Sequence, residues 1–271
     1  MSVRYTQVDS FTAEPFGGNP AGVVVLDAWP QASWMQSVAS ETCMPATAFV
    51  VRQGDAGGSS FGLRWFTRVI ELALCGHGTL AASRVLWEEG LAPAGEPITF
   101  QAQSGALQAT RRGEWIELDF PATPPVECEP PAGLAEALGV EPRWVGRSRF
   151  DVVAIVDDEA AVRGATPEPG ALRRVDARGV ILSGPANPGR GFDFVSRFFA
   201  PRVGIDEDSV TGSAHCCLAP YWAARLGRDE MVGYQASPRG GVMRVRVAGD
   251  RVVLGGQTAI VARGELLVDP Q

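Results

Sequence analysis

The amino-acid sequence predicts an α+β fold made of two similar halves, each with a sheet and one apolar helix. Three observations support this prediction. The chain has 271 residues, enough for two domains of ordinary size, and 45% of them are hydrophobic, as in globular proteins. Short apolar segments bounded by turn residues predict mostly strands. A similar succession of features, an arginine-led aromatic segment, an acidic loop, a turn of small residues and an apolar helix, occurs once in each half.

The first half begins with strands. Alternating residues at 3–8 predict one strand, and the apolar run at 21–26 predicts a buried strand after a glycine-rich turn. Residues 32–42 have helical character, and the apolar segment 80–89, which ends before Gly90, predicts the main helix of this half. Further strands are predicted at 48–52, 62–67, 98–103, 106–110 and 115–118.

The proline-rich segment 121–131 predicts a linker between the halves. We therefore expect domains at residues 1–120 and 121–271, with return of the last strand to the first domain as an alternative. The second half is predicted to contain helices at 132–138 and 216–226 and strands at 151–156, 179–183, 192–200, 242–247, 252–256 and 259–265.

The two halves contain the same succession of features. In the first, RWFT at 64–67 leads through an acidic loop to CGHGT at 75–79 and a helix. In the second, RFFA at 197–200 leads through an acidic loop to TGSAH at 211–215 and another helix. An internal repeat of half the chain length predicts two copies of one structural unit.

Composition excludes several classes of function. The net charge of −7 argues against a general nucleic-acid binder, which needs a basic surface. The sequence contains no lysine, so Schiff-base chemistry and a phosphate-binding P-loop are excluded. Only two histidines and no CxxC pair occur, which argues against three-histidine metal sites and structural zinc. We therefore expect no pyridoxal phosphate and no metal.

The opening residues MSVRYTQVDS lack a secretory apolar segment, and no apolar run in the sequence is long enough to cross a bilayer. A cytoplasmic protein without a membrane partner is expected.

The two glycine-containing turns are the best candidates for a binding site. A helix N-terminus exposes unpaired N–H groups and carries partial positive charge. Gly76, Gly78 and Gly212 would let a ligand approach this backbone closely, since they lack a Cβ atom. Two such helix starts facing each other would bind a carboxylate or an enolate-like oxygen without any lysine. The sequence thus predicts a small anionic metabolite as ligand.

Both histidines lie in these turns. His77, between two glycines, is a candidate for proton transfer or for hydrogen bonding to a substrate oxygen. For His215, packing or capping inside the helix is the favoured interpretation. Asp208 is either a carboxylate of the site or a solvated residue before the helix. Ser213 either contacts substrate or caps the helix, and no GxSxG motif surrounds it.

Four segments of the sequence together resemble a known family. They are residues 8–24 with VDSFT and GGNPAGVV, 47–50 with TAFV, 66–81 with FT and ELALCGHGTLA, and 204–216 with GIDED and TGSAHC. Their residues and their order resemble the phenazine-biosynthesis PhzF-like family, which has the diaminopimelate epimerase fold.

The resemblance implies two similar domains, each a β-barrel-like sheet around a central helix, with the active site between them. It also implies a cofactor-independent isomerase that moves a proton on a small carboxylic acid, usually as a homodimer. By position, His77, Asp208 and Ser213 are site residues, and amides at Gly76 and Gly212 hold the substrate carboxylate. We add Asn19 and Gly78, which lie in the matching segments, as candidate substrate-binding residues.

The sequence departs from the family at one important position. The family has a catalytic glutamate just before the TAFV segment, where this chain has Ala46, whose methyl group cannot carry a proton. Glu41 lies five residues away and would break the register of the alignment. Arg68 also replaces the usual proline after Phe66-Thr67.

Three interpretations of Ala46 follow. The protein is an isomerase or epimerase that uses another base, such as Cys75, which stands where related epimerases have a catalytic thiol, or an Asp208–His77 pair. Alternatively, it is a binding protein that kept the site and lost turnover. As a third interpretation, it catalyses a different reaction in the same cleft. We favour the first, with the non-catalytic binder as the main alternative.

Overall fold

The computed structural model describes residues 2–55 and 57–270, which fold as two units. The first unit comprises the chain up to Asp119 together with the segment from Gly255 onward, and the second unit comprises Phe120–Leu254. The last strand, β18 (Thr258–Leu266), thus belongs to the first unit, where it pairs antiparallel with β1 (Val3–Ser10). The first unit is therefore formed from both ends of the chain.

Strands outnumber helices in both units. The strands up to the boundary are β1, β2 (Asn19–Leu26), β3 (Ala46–Arg52), β4 (Ser60–Phe66), β5 (Glu71–Leu72), β6 (Ile98–Ala102), β7 (Gly105–Arg112) and β8 (Trp115–Pro121), with helices α1 (Ala32–Thr42) and α2 (Gly76–Glu88). The following strands are β9 (Val126–Glu127), β10 (Trp144–Arg147), β11 (Asp151–Ile155), β12 (Gly179–Pro185), β13 (Phe194–Ala200), β14 (Ile205–Asp208), β15 (Glu230–Gln235), β16 (Gly241–Ala248) and β17 (Arg251–Gly256). The second unit also holds α3 (Leu134–Leu138), α4 (Glu159–Gly164), α5 (Pro169–Leu172), a 3₁₀ turn (Pro201–Val203) and α6 (Gly212–Leu226).

The same pairing scheme occurs in each unit. In the first, β1 is antiparallel to β2, β2 parallel to β3, β3 antiparallel to β4, and β4 is antiparallel to β5 and parallel to β6. In the second, β10 is antiparallel to β11, β11 parallel to β12, β12 antiparallel to β13, and β13 is antiparallel to β14 and parallel to β15. The repeat predicted from the sequence is confirmed strand by strand.

Each unit has one long helix that is buried on all sides. In α2 the six consecutive residues 78–83 are buried, and in α6 the six consecutive residues 214–219 are buried. Six residues span more than one helical turn, so no face of either segment is left to solvent. This burial explains why both helices are rich in small and apolar residues, and it places the start of each helix at a fixed point of its unit.

The α+β fold class predicted from the sequence is confirmed. The predicted linker at 121–131 is partly structured, because β9 lies within it and pairs antiparallel with β10. Within residues 2–55 and 57–270, none of the helices combines the length and apolar character that crossing a membrane requires.

Candidate functional site

The start of α2 brings Cys75 and His77 together. Cys75 is the N-cap residue in an extended conformation, and its carbonyl accepts the first helical hydrogen bond from the Thr79 N–H at 3.0 Å. The buried Thr79 hydroxyl donates to the same carbonyl at 2.6 Å. The Cys75 Sγ lies 3.6 Å from His77 Nδ1 and 3.8 Å from Nε2. A thiol and an imidazole therefore lie close enough to exchange a proton.

Neighbouring residues fix this turn. The hydroxyl of the buried Ser10 donates to the His77 carbonyl at 2.8 Å, which ties the turn to the end of β1. His77 is only partly buried, whereas Cys75 is buried. The imidazole is thus the more accessible member of the pair.

Packing accounts for the glycine at position 78. A Cβ atom there would lie 2.7 Å from Cδ1 of the buried Trp65 and 3.1 Å from Cys75 Sγ. The space beside Gly78 is filled by protein atoms, and the absence of a side chain lets α2 approach Trp65. Its assignment as a substrate-binding residue stays a prediction, as does that of the partly buried Gly76.

Ala46, where the sequence analysis expects the family's glutamate, is fully buried. Ala46 is the first residue of β3, has no exposed surface, and pairs with Ala21, which is also buried. Glu41, near the end of α1, is exposed to solvent, in contrast to the buried Ala46. The fully buried Asn19 starts β2 and pairs with Ser10, the residue that bonds to His77.

At the start of α6, Asp208 and Thr211 form a hydrogen-bonded pair. The Thr211 hydroxyl donates to Asp208 Oδ2 at 2.6 Å, and Thr211 is the N-cap residue. Gln235, which the sequence analysis did not identify, holds both residues. Its Nε2 donates to the Asp208 carbonyl at 2.8 Å, and its Oε1 accepts the Thr211 N–H at 2.8 Å. Asp208, which ends β14, is partly buried, and these hydrogen bonds hold it in place.

Ser213 is bound by an arginine that the sequence analysis also missed. Arg178 Nη2 donates to Ser213 Oγ at 2.9 Å, in the first turn of α6 and next to the partly buried Gly212. As far as the described residues go, the N-cap side chains of α2 and α6 do not accept hydrogen bonds from the first helical turn. The N–H groups of a first helical turn are the kind of backbone donor that anion binding requires.

His215 has a structural environment. It has no exposed surface, and its Nδ1 lies 2.9 Å from the Thr211 carbonyl. Because a carbonyl only accepts, Nδ1 carries the proton, and Nε2 has no hydrogen-bond partner among the described residues. Burial lowers the pKa of His215 to about 4, and the bond to Thr211 opposes this effect only in part. His215 is therefore neutral at pH 7, consistent with the favoured interpretation of a packed residue.

A bidentate ion pair precedes each helix start. In the first unit, Arg64 Nε and Nη2 each lie 2.7 Å from the Glu71 carboxylate. In the second, Arg197 Nε and Nη2 lie 2.8 and 2.9 Å from the Glu207 carboxylate. Each pair joins β4 to β5 or β13 to β14, so it fixes the loop from which the chain enters the helix.

Within residues 2–55 and 57–270, no group of three or more His, Cys, Asp or Glu side chains is arranged to hold a metal ion.

Comparison with known proteins identifies the family. The phenazine biosynthesis-like protein family matches residues 8–264. An uncharacterized isomerase of Halalkalibacterium halodurans is 46% identical over 269 residues, which cover 99% of this chain and 100% of the relative. A PhzF-family phenazine biosynthesis protein from Enterococcus faecalis has a crystal structure that matches with a TM-score of 0.93 and 40% identity, covering 99% of this chain and 100% of that chain.

The fold extends to more distant proteins. The crystal structure of a probable proline racemase from Agrobacterium radiobacter matches with a TM-score of 0.64 at 12% identity, covering 99% of this chain and 94% of that chain. At that identity the match shows a shared fold alone. The matches over nearly the whole chain show that this protein belongs to the phenazine biosynthesis-like family, whose members include proteins named isomerases.

Proposed function

We propose that the protein is a cofactor-independent isomerase that moves a proton on a small carboxylic or amino acid, with Cys75 and His77 replacing the family's glutamate. The observation that carries the proposal is the 3.6 Å separation of Cys75 Sγ and His77 Nδ1 at the start of α2. Membership in a family with isomerases supports the reaction class. Because residue 46 is alanine, a proton carrier must come from elsewhere.

The proposed reaction needs only proton movement. A base takes the proton from the carbon next to the substrate carboxylate, and the electron pair of that C–H bond delocalises into the carboxylate. The proton returns to the other face of the same carbon or to a conjugated carbon, so no electrons leave the substrate. The Cys75 sulfur is the proposed base, because thiolates are favoured at helix N-termini and beside a histidine. His77 is proposed to accept and return the thiol proton.

The second unit contributes to the proposal through its own helix start. Asp208 is kept in place by Thr211 and Gln235, and Ser213 by Arg178, which supports the prediction that both contact a ligand. The backbone N–H groups of the first turn, at Gly212, are proposed to bind a carboxylate. A homodimeric, cytoplasmic enzyme is part of the proposal, and light scattering of the purified protein tests the dimer.

Solvent exchange tests the proposed reaction. The protein is incubated in deuterium oxide with a panel of α-amino and α-hydroxy acids, and loss of the α-proton signal is followed by ¹H NMR. We expect exchange with at least one acid, and a large loss of exchange in Cys75→Ser and His77→Gln variants. Cys43→Ser, which changes an exposed thiol after α1, is the matched control. If Cys75→Ser, His77→Gln and Asp208→Asn all retain the wild-type rate, the proposal is wrong.

A second candidate function is carboxylate binding without turnover. It is supported by Ala46, because this fully buried residue has no group that can carry a proton. It predicts that acids from the panel raise the melting temperature of the protein while none exchanges its α-proton. We expect Ala46→Glu alone not to restore the activity of the relatives. Turnover of a relative's substrate by Ala46→Glu would instead show that loss of the glutamate was the single change.

A further inference from the structure

Arg178 lies next to the residue of the second unit that corresponds to Ala46 in the first unit. Gly179 in β12 is three residues before Leu182, which pairs with Arg197, and Ala46 in β3 is three residues before Phe49, which pairs with Arg64. Gly179 is thus the counterpart of Ala46, the position of the family's glutamate. Arg178 directly precedes Gly179 in the chain. Ser213, to which Arg178 is hydrogen-bonded, is the counterpart of His77, because each lies two residues after the N-cap residue of its helix.

The guanidinium group of Arg178 is held on several sides. Its Nε and Nη2 lie 2.9 and 2.5 Å from the two carboxylate oxygens of Asp151. The rings of Phe150 and Phe198 lie 5.2 and 5.5 Å from its central carbon. The backbone N–H of Arg178 also donates to the Phe150 carbonyl at 2.9 Å. An arginine fixed in this way presents Nη2 to Ser213 in one orientation.

The charge of Arg178 is already balanced. Asp151 is only 2% exposed, and a buried carboxylate needs a compensating cation. The ion pair is therefore close to neutral as a whole, which argues against Arg178 as the main electrostatic attraction for an anion. Its remaining interaction with the site is the hydrogen bond to Ser213.

That hydrogen bond determines what the Ser213 hydroxyl can do. A guanidinium group has only donors, so Ser213 Oγ must accept from Nη2. The hydroxyl hydrogen is then left to donate to another group. We infer that Arg178 is a positioning residue that orients Ser213 as a donor to an anionic oxygen of the ligand. This inference deepens the proposed function and rests on it for the class of ligand, a small carboxylate.

Cys217, one turn after Ser213 on α6, does not compete for this role. Burial raises the pKa of the Cys217 thiol to about 12. The thiol is therefore protonated at neutral pH, and because Cys217 has no exposed surface it cannot present that proton to a ligand.

A ligand-free experiment tests the positioning role. Protein with ¹³Cβ-labelled serine is studied by NMR, and the Ser213 signal is assigned by its disappearance in Ser213→Ala. We expect Arg178→Met to shift and broaden this signal, and Arg178→Lys to give a smaller change. Arg174→Met, which alters an exposed arginine whose Nη1 donates to the Gly170 carbonyl, should leave the signal unchanged. An unchanged Ser213 signal in Arg178→Met would overturn the inference.

Binding measurements then test the donor role. Isothermal titration calorimetry with pyrrole-2-carboxylate, a planar carboxylate, is expected to show about tenfold weaker binding for Ser213→Ala and for Arg178→Met. The double variant should bind no more weakly than Ser213→Ala alone, because both changes remove one interaction. Additive losses would contradict the inference. Since Arg178→Met leaves the Asp151 carboxylate without its cation, the same set is also made with Asp151→Asn.

The two experiments distinguish failure of the positioning role of Arg178 from failure of the proposed carboxylate site. If wild-type protein does not bind pyrrole-2-carboxylate, the carboxylate site of the proposed function is contradicted. The NMR experiment needs no ligand and still decides whether Arg178 positions Ser213.

Discussion

The first turns of α2 and α6 have a similar backbone but different side chains at each position that carries chemistry. Their N-cap residues, Cys75 and Thr211, both have a ψ angle of 106°. Two residues later, α2 has the partly buried His77 where α6 has Ser213. The repeated fold thus supplies two similar backbone frames that carry different side chains.

The fourth residue after the N-cap illustrates the difference further. In α2 this residue is Thr79, whose hydroxyl donates to the Cys75 carbonyl at 2.6 Å. In α6 it is His215, whose Nδ1 bonds to the Thr211 carbonyl at 2.9 Å. The equivalent backbone acceptor is therefore satisfied in both units, by a threonine hydroxyl in one and by a histidine ring in the other. Of the two histidines, His215 has no exposed surface and His77 is partly exposed.

The largest difference between the units is expected for the ion pairs before the helices. The Arg197 and Glu207 side chains are 12% and 18% exposed, against 29% and 32% for Arg64 and Glu71. Removing one partner of a buried ion pair leaves the other charge buried without a counter-charge. Arg197→Met should therefore lower the free energy of unfolding by about 3 kcal/mol. Arg64→Met should cost less than about 1 kcal/mol. Urea unfolding measures both, and equal losses would show that the two pairs are equivalent.

The third residue after the N-cap has a different size requirement in each helix, so adding a methyl group should destabilise one helix and removing a methyl group should destabilise the other. It is Gly78 in α2 and the buried Ala214 in α6. A methyl group at position 78 meets Trp65 at 2.7 Å, so Gly78→Ala should destabilise the protein by about 2 kcal/mol. Ala214→Gly removes a buried methyl group from a helix and should cost about 1 kcal/mol. Chemical denaturation of the two variants checks this order, and a stabilising Gly78→Ala would contradict the packing described for α2.

A smaller effect concerns acid stability. The pKa of His215 falls from 6.5 to about 4 on folding, so the unfolded chain binds a proton at pH 5.5 and the folded protein does not. This residue should therefore lower stability by about 1 kcal/mol between pH 7 and pH 5.5. In His215→Gln that part of the pH dependence should vanish, whereas His77→Gln should retain it. Identical pH profiles for wild type and His215→Gln would rule out a buried neutral His215.

Sequence patterns predicted the parts of the fold that have local signals. Glycine turns and apolar segments located both central helices, and two arginine-led strands followed by acidic loops located the repeat. The short helices α4 and α5 were missed, because six and four residues are too few for a helical pattern to be recognised.

The candidate site was predicted only in part, for a physical reason. Cys75 and His77 are two residues apart, so their proximity follows from the turn itself. Arg178 reaches Ser213 across 35 residues, and Gln235 reaches Thr211 across 24. Such contacts depend on tertiary packing, which no local pattern records. The sequence shows the alanine at position 46, but the burial of that residue is seen only in the structure.

The central claim is that α2 carries the reactive pair. The most direct test compares the rate of α-proton exchange in deuterium oxide for two variants at equivalent N-cap positions, Cys75→Ser and Thr211→Ser. Cys75→Ser should slow exchange by about 100-fold or more, because a hydroxyl is a far weaker base than a thiolate, and Thr211→Ser should remain within about threefold of wild type. Equal rates in Cys75→Ser and wild-type protein would contradict the claim.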